Sequence, residues 1–345
     1  MRVGMMLNYS GGFTETVSEL EDFEKAGLQV VFVPEAYSFD AVSQLGFIAA
    51  RTQSLEIASG ILPIYSRTPA LTAMTAAGLD FVSGGRFTLG LGTSGPQVIE
   101  GWHGVQYDAP VGRTRELIEI CRMVWRRERL DYHGKHYTLP YEGGTGLGKP
   151  LKLINHPVRM RIPIVIAALG PKNVALAAEL AEGWQPIFFF PEKADLTWGT
   201  ALEAGRAKRD TQLLGELDVI AAAPLAIGDD VTHLRDVMRP MLALYIGGMG
   251  ARGKNFYHDL ACRYGYEQAA DEIQDAYLAG RKDEAAAIVP AELVEKTALI
   301  GPLGYVKERL AAYREAGVTT LNVTALSPTH AQRVQDIETI RSLAG

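Results

Sequence analysis

Short apolar runs alternate with helix-period patterns along this chain, the arrangement expected of repeated strand–helix units and a parallel sheet. A first strand over residues 3–7 leads into a charged helical stretch, 14–26, which Gly27 stops. A second strand, 29–33, runs into Pro34-Glu35, and Asp40 stands as N-cap of a helix carrying Val42, Leu45 and Ala49. The third strand, 55–61, precedes a helix opened by Pro69, whose core-facing side reads Leu71, Met74, Thr75, Gly78, Leu79 and Val82. Gly84-Gly85 turns the chain into a fourth strand, 86–91. The helix after it carries Leu117, Ile118, Cys121, Val124 and Trp125 at core spacing.

Glycine and proline break the beat over residues 131–160, which read as a hairpin and excursion. Strand five (162–169), a helix (173–182), strand six (184–190) and strand seven (217–227) restore it. A second excursion, partly helical, covers 246–298. A helix with Val306, Leu310 and Tyr313, a strand over 321–326, and a helix with Val334, Ile337, Ile340 and Leu343 close the chain. Eight strands with intervening helices favour a closed (β/α)8 TIM barrel over an open doubly wound sheet. Residues 1–345 then form one α/β domain with insertions after strands four and seven.

Composition narrows the function. Hydrophobic residues make up 47% and charged residues 21%, ordinary for a globular protein. A net charge of −6 offers no footprint for nucleic acid, and no basic tract or long apolar span points to a membrane. Cys121 and Cys262 are too few for a disulfide framework or a thiolate metal site. The seven histidines show no metal-ligand spacing. The expectation is a soluble, cytoplasmic protein whose partner is a small-molecule substrate.

In such a barrel, chemistry collects at the C-terminal strand ends. Those ends read Asn8, Pro34–Tyr37, Ser59-Gly60-Ile61, Gly92–Gly95, Ala168–Lys172 and Gly228, mostly small or polar, as close approach of a flat cofactor requires. Residues 90–95 match the dinucleotide pattern G-x-G-x-x-G, but the first glycine falls inside a strand and three strand–helix units precede it, the wrong context for that fold. Gly170-Pro171-Lys172-Asn173 opens a helix whose free N–H groups suit an anion; a proline-started helix with a surface lysine is the plainer reading. The loop 247–254, with Arg252 and Lys254, suits a flap over an anionic group or an ordinary surface turn. Tyr9, Tyr37, Tyr65 and Trp102 near the mouth suit a planar or apolar partner, or core packing.

The segments SGILPIYSRTPA (59–70), VSGGRFTLGLGTSGPQVIEGWHG (82–104), ALGPKNVALAAELAEGW (168–184) and YIGGMGARGKNFY (245–257), in this order, resemble the luciferase-like superfamily, and in particular its F420-dependent oxidoreductases. The resemblance implies a non-prolyl cis peptide at Gly60-Ile61 against the deazaflavin, and Thr93 and Ser94 beside its head group with Gln97 as a neighbour. It also implies a phosphate tail near Ala168, Gly170, Pro171, Lys172 and Asn173, and a homo-oligomer, dimer or tetramer. Alcohol and sugar-phosphate dehydrogenases of the family carry a histidine after strand two and a glutamate after strand four. The matching positions here are Ala36 and Gly95, which are neither acid nor base. That departure favours reduction of a C=C or C=N acceptor, with Glu35 and His103 as candidate catalytic proton donors. F420 is the expected cofactor. An FMN-dependent monooxygenase and a flavin-binding barrel without turnover stand as alternatives.

Overall fold

In the computed structural model, which describes residues 1–7 and 12–345, the predicted strands are Arg2–Met6 (β1), Val30–Val33 (β2), Glu56–Ser59 (β3), Phe87–Gly92 (β4), Ile164–Ala167 (β5), Gly183–Gln185 (β6), Asp218–Ile227 (β7) and Thr320–Ala325 (β8). Each pairs in parallel with the next, and β8 returns to β1 with Thr320 opposite Arg2. The sheet is therefore a closed (β/α)8 barrel. Two short strands supplement it among the described residues. Leu62–Pro63 resumes pairing with β4 beyond a bulge, and Leu299–Gly301, which lacks a signal in the sequence pattern, lies along the end of β7.

Both faces of these strands are covered, which is why they read as unbroken apolar runs. Val3, Met5, Val31, Val33, Ile57 and Leu89 point outward into the main core under the helices. Val30, Phe32, Ala58, Val165 and Ile220, with Met6 against them, fill the barrel interior as a separate cluster. Helix Pro110–Trp125 buries the predicted Leu117, Ile118, Cys121, Val124 and Trp125.

Two elements depart from the sequence pattern. Helix Pro69–Val82 buries Ala73, Ala76, Ala77 and Leu79, whereas Leu71, Met74, Gly78 and Val82 face solvent with Phe81. This helix carries apolar residues on both faces, so periodicity offered two; mostly small side chains took the barrel side, with Asp80 drawn in by Arg159. Strand six stops at Gln185, not at residue 190, because Pro186 lacks the N–H a ladder needs. The chain then turns outward through Phe188, at a left-handed φ of 53°.

The first excursion contains an antiparallel hairpin, Tyr132–His133 with Thr138–Leu139. Glu116, buried on the neighbouring helix, accepts the backbone N–H groups of Lys135, His136 and Tyr137, with shortest contacts of 2.9 Å each. The second excursion is more helical than expected, with Phe256–Arg263, Glu267–Leu278, Lys282–Ile288 and Ala291–Lys296. Among the described residues, no helix is long and apolar enough to cross a membrane.

Candidate active site

The C-terminal mouth of the barrel is organised around the break between β3 and Leu62–Pro63. The peptide Gly60-Ile61 is cis, where the sequence resemblance places it. Ser59, fully buried, staples the break to β4: its Oγ accepts from Gly90 N at 2.8 Å and donates to Gly90 O at 2.9 Å. Glycine is required at 90, since a Cβ there would lie 1.8 Å from Ser59 O. Gly90 and Gly92, two of the three glycines that mimic a dinucleotide fingerprint, thus serve strand packing around this break.

Beside it stands a buried ion cluster. Arg67 donates to both Glu35 oxygens, at 2.6 and 2.8 Å, and to Asp40 Oδ1 at 2.7 Å. Ala41 N donates to Glu35 Oε2 at 3.0 Å, and Ser43 N to Asp40 Oδ2 at 2.9 Å, so both carboxylates also cap helix Ala41–Arg51. Hydrogen bonding to Glu35 holds the Arg67 guanidinium proton more firmly than usual, against desolvation. Desolvation pushes the Asp40 carboxyl up, but the Ser43 N–H and Arg67 outweigh it and hold it below its ordinary value. Glu35 is thus a structural counter-ion in this geometry. The bidentate pairing was not legible because Arg67 lies 32 residues away in sequence.

After β4, Thr93 and Ser94 are half-buried, and Ser94 adopts a left-handed φ of 56°. The Tyr107 hydroxyl reaches Ser94 O at 3.4 Å, and burial raises the Tyr107 phenol. Gln97 is exposed in the first turn of the short helix Pro96–Gly101. His103 follows that helix; its N–H donates to Val98 O, and its buried Nε2 has no partner among the described residues. Tyr65 proves to be packing: it is buried against Tyr107 and donates to Asp108 O at 2.7 Å. Tyr37 and Trp102 instead project into solvent.

The end of β5 is held by two indoles, Trp184 donating to Ala168 O and Trp198 to Leu169 O, at 2.9 and 3.1 Å. Gly170 caps helix Pro171–Leu180 without a side-chain bond, leaving its first N–H groups open. Pro171 and Lys172 are exposed there, and the buried Asn173 Oδ1 has no partner among the described residues. A Cβ added at Gly95 or Gly170 would meet no atom within 4 Å, so both positions border open space.

The second excursion leans over this end of the barrel. Tyr264 donates to Phe188 O at 2.9 Å, and Phe188 packs edge-on to Tyr245. Asn255, missed in the sequence reading, is buried and donates to the carbonyls of Tyr245 and Ile246 while capping helix Phe256–Arg263. Lys254 is exposed, whereas Arg252 pairs with Asp275. The predicted residues on β3, β4 and β5 thus gather at one mouth; Asn8, also predicted, lies outside the described residues. A cavity of about 780 Å³ opens at the opposite, N-terminal end beside Arg2, Asp218 and Thr319, away from these residues.

The luciferase-like monooxygenase profile matches residues 1–320. A Mycobacterium tuberculosis protein, provisionally named a coenzyme F420-dependent oxidoreductase, is 43% identical over 346 residues, 98% of each chain. The 5,10-methylenetetrahydromethanopterin reductase of Archaeoglobus fulgidus is 28% identical, covering 92% of this chain and 90% of its own. In structure, the coenzyme F420-dependent tetrahydromethanopterin reductase of Methanopyrus kandleri superposes with a TM-score of 0.78 at 21% identity, covering 98% of this chain and 96% of that one. A closed barrel with its break at Gly60-Ile61 and a match over nearly its whole length together make this chain a member of the luciferase-like monooxygenase family.

Proposed function

We propose that this protein is an F420-dependent reductase that transfers hydride to a C=C or C=N acceptor. The similarity over 98% of both chains to a relative named for F420 carries the reading. The mouth suits that cofactor: the space beside Gly95 and Gly170 is open, and Asn173 Oδ1, without a partner among the described residues, lies beside an open helix N-terminus. When bound, the deazaflavin supplies a hydride donor or acceptor at C5. Gly60, Ile61, Thr93 and Ser94 hold its ring, Gln97 borders it, and Ala168, Gly170, Pro171, Lys172, Asn173 and Lys254 receive its anionic tail.

The acids support this direction. Ala36 and Gly95 offer neither base nor acid for oxidising a hydroxyl, and Arg67 occupies both Glu35 oxygens. His103, whose ring Nε2 has no partner among the described residues, is the remaining side-chain candidate to deliver a proton to the acceptor, with water as the other source. Free thiols at Cys121 and Cys262 suit a cytoplasmic setting. The outer apolar stripe of helix Pro69–Val82 supports a homo-oligomer through that face.

Fluorescence titration with F420 and with FMN tests the cofactor. Tight binding of F420 with little affinity for FMN is the expected result. The reverse preference, with oxygen consumed on turnover, would move the protein to the FMN-dependent monooxygenases.

A further inference from the structure

Two loops at the mouth present aromatic rings to water. Tyr37, after β2, is 64% exposed, and Trp102, after β4, is 67% exposed, with ring centroids 6.5 Å apart and planes tilted by 51°. Phe39 stands on the same loop as Tyr37, 77% exposed. Side chains of this size shed water readily, and several together on a catalytic face mark a binding surface. Their chemistry is neutral. The neighbouring cation, Arg67, is taken up by Glu35 and Asp40, and the two aromatic loops, 34–40 and 93–109, carry no lysine or arginine, so among the described residues these loops offer no free cation to a phosphate or carboxylate.

We propose that Tyr37 and Trp102 grip the hydride acceptor, and that this acceptor is a neutral, planar, largely apolar molecule. The proposal rests on the reductase reading above and adds the substrate class to it. The tilted rings, belonging to two separate loops and already touching each other, present their outer faces to water as one apolar platform on which a flat body can lie. An anionic sugar phosphate would find no partner there. Tyr37 and Trp102 act in binding and specificity, apart from the hydride and proton steps.

Trp102 supplies its own probe. The other three tryptophans, 125, 184 and 198, are at most 1% exposed, so the water-exposed component of the indole emission belongs to Trp102. Menadione, a flat neutral quinone, is titrated into the full-length protein while that component is followed, alongside Trp102→Ala and Tyr37→Leu, with binding of the variants read by equilibrium dialysis. The expected result is saturable quenching in the wild type and a Kd for menadione raised about tenfold in each variant, as loss of one aromatic contact predicts. Both substitutions leave the affinity for F420 unchanged. Equal menadione affinity in wild type and variants overturns the proposal, as does a Trp102 shielded from iodide at micromolar protein, which would mark a contact between copies. Failure of F420 itself to bind the wild type, with the menadione loss intact, would sink the cofactor reading alone.

Discussion

Glu35 shows how an environment reassigns a residue. As a carboxylate at a strand end it reads as a proton donor, but Arg67 meets it with two charge-assisted bonds and Ala41 N takes a third. Both partners are largely buried, at 13% and 8% side-chain exposure, so removing one strands the other. Arg67→Met is expected to cost about 3–5 kcal/mol of stability, read as a lower denaturant midpoint. A loss below about 1 kcal/mol, the range of an exposed surface pair, would show that the pair is solvated. Ser59 and Gly90 teach a similar lesson: a serine and a glycine far apart in sequence become one staple because the broken strand needs both.

At the level of elements, the excursions differ in how they are held. The hairpin Tyr132–His133 with Thr138–Leu139 packs Tyr132, Tyr137 and Leu139 on the core, and the Glu116 carboxylate fixes its turn by gripping three successive N–H groups. Replacing that carboxylate by alanine should speed hydrogen exchange of residues 135–137 about ten- to hundredfold, the worth of charge-assisted bonds. Unchanged protection would place the anchor elsewhere. The hairpin itself was legible from its glycines and prolines. The helices of the second excursion were less so, because their short apolar sets, such as Leu260 and Ala261 or Leu293 and Val294, span barely two turns.

For the whole molecule, the homo-oligomer proposed above would form through helix Pro69–Val82. Leu71, Met74, Phe81 and Val82 are 47%, 53%, 67% and 60% exposed, an uncharged stripe with Gly78 at its centre. A two-fold contact would set this stripe against itself and let the backbones approach at the glycine. Met74→Glu, or Phe81→Glu, is therefore expected to shift the protein to monomer in light scattering while its circular dichroism stays unchanged. A wild-type monomer at tens of micromolar would dismiss the interface.

The order of strands and helices, and hence the closed barrel, is set locally: apolar runs too short for helices, stopped by glycine and proline, leave few other solutions. The position of the cis break came from the resemblance to the luciferase-like superfamily, whereas glycine-rich strand ends marked the loops at the mouth, where backbone must come close. Tertiary structure alone decided which face of a helix apolar on both sides turns inward, which cation claims Glu35, and which aromatics stay in water. Those outcomes depend on partners dozens of residues away, and hydrophobicity, being non-directional, does not name a partner. Only packing in three dimensions makes Tyr65 part of the core and leaves Trp102 in water.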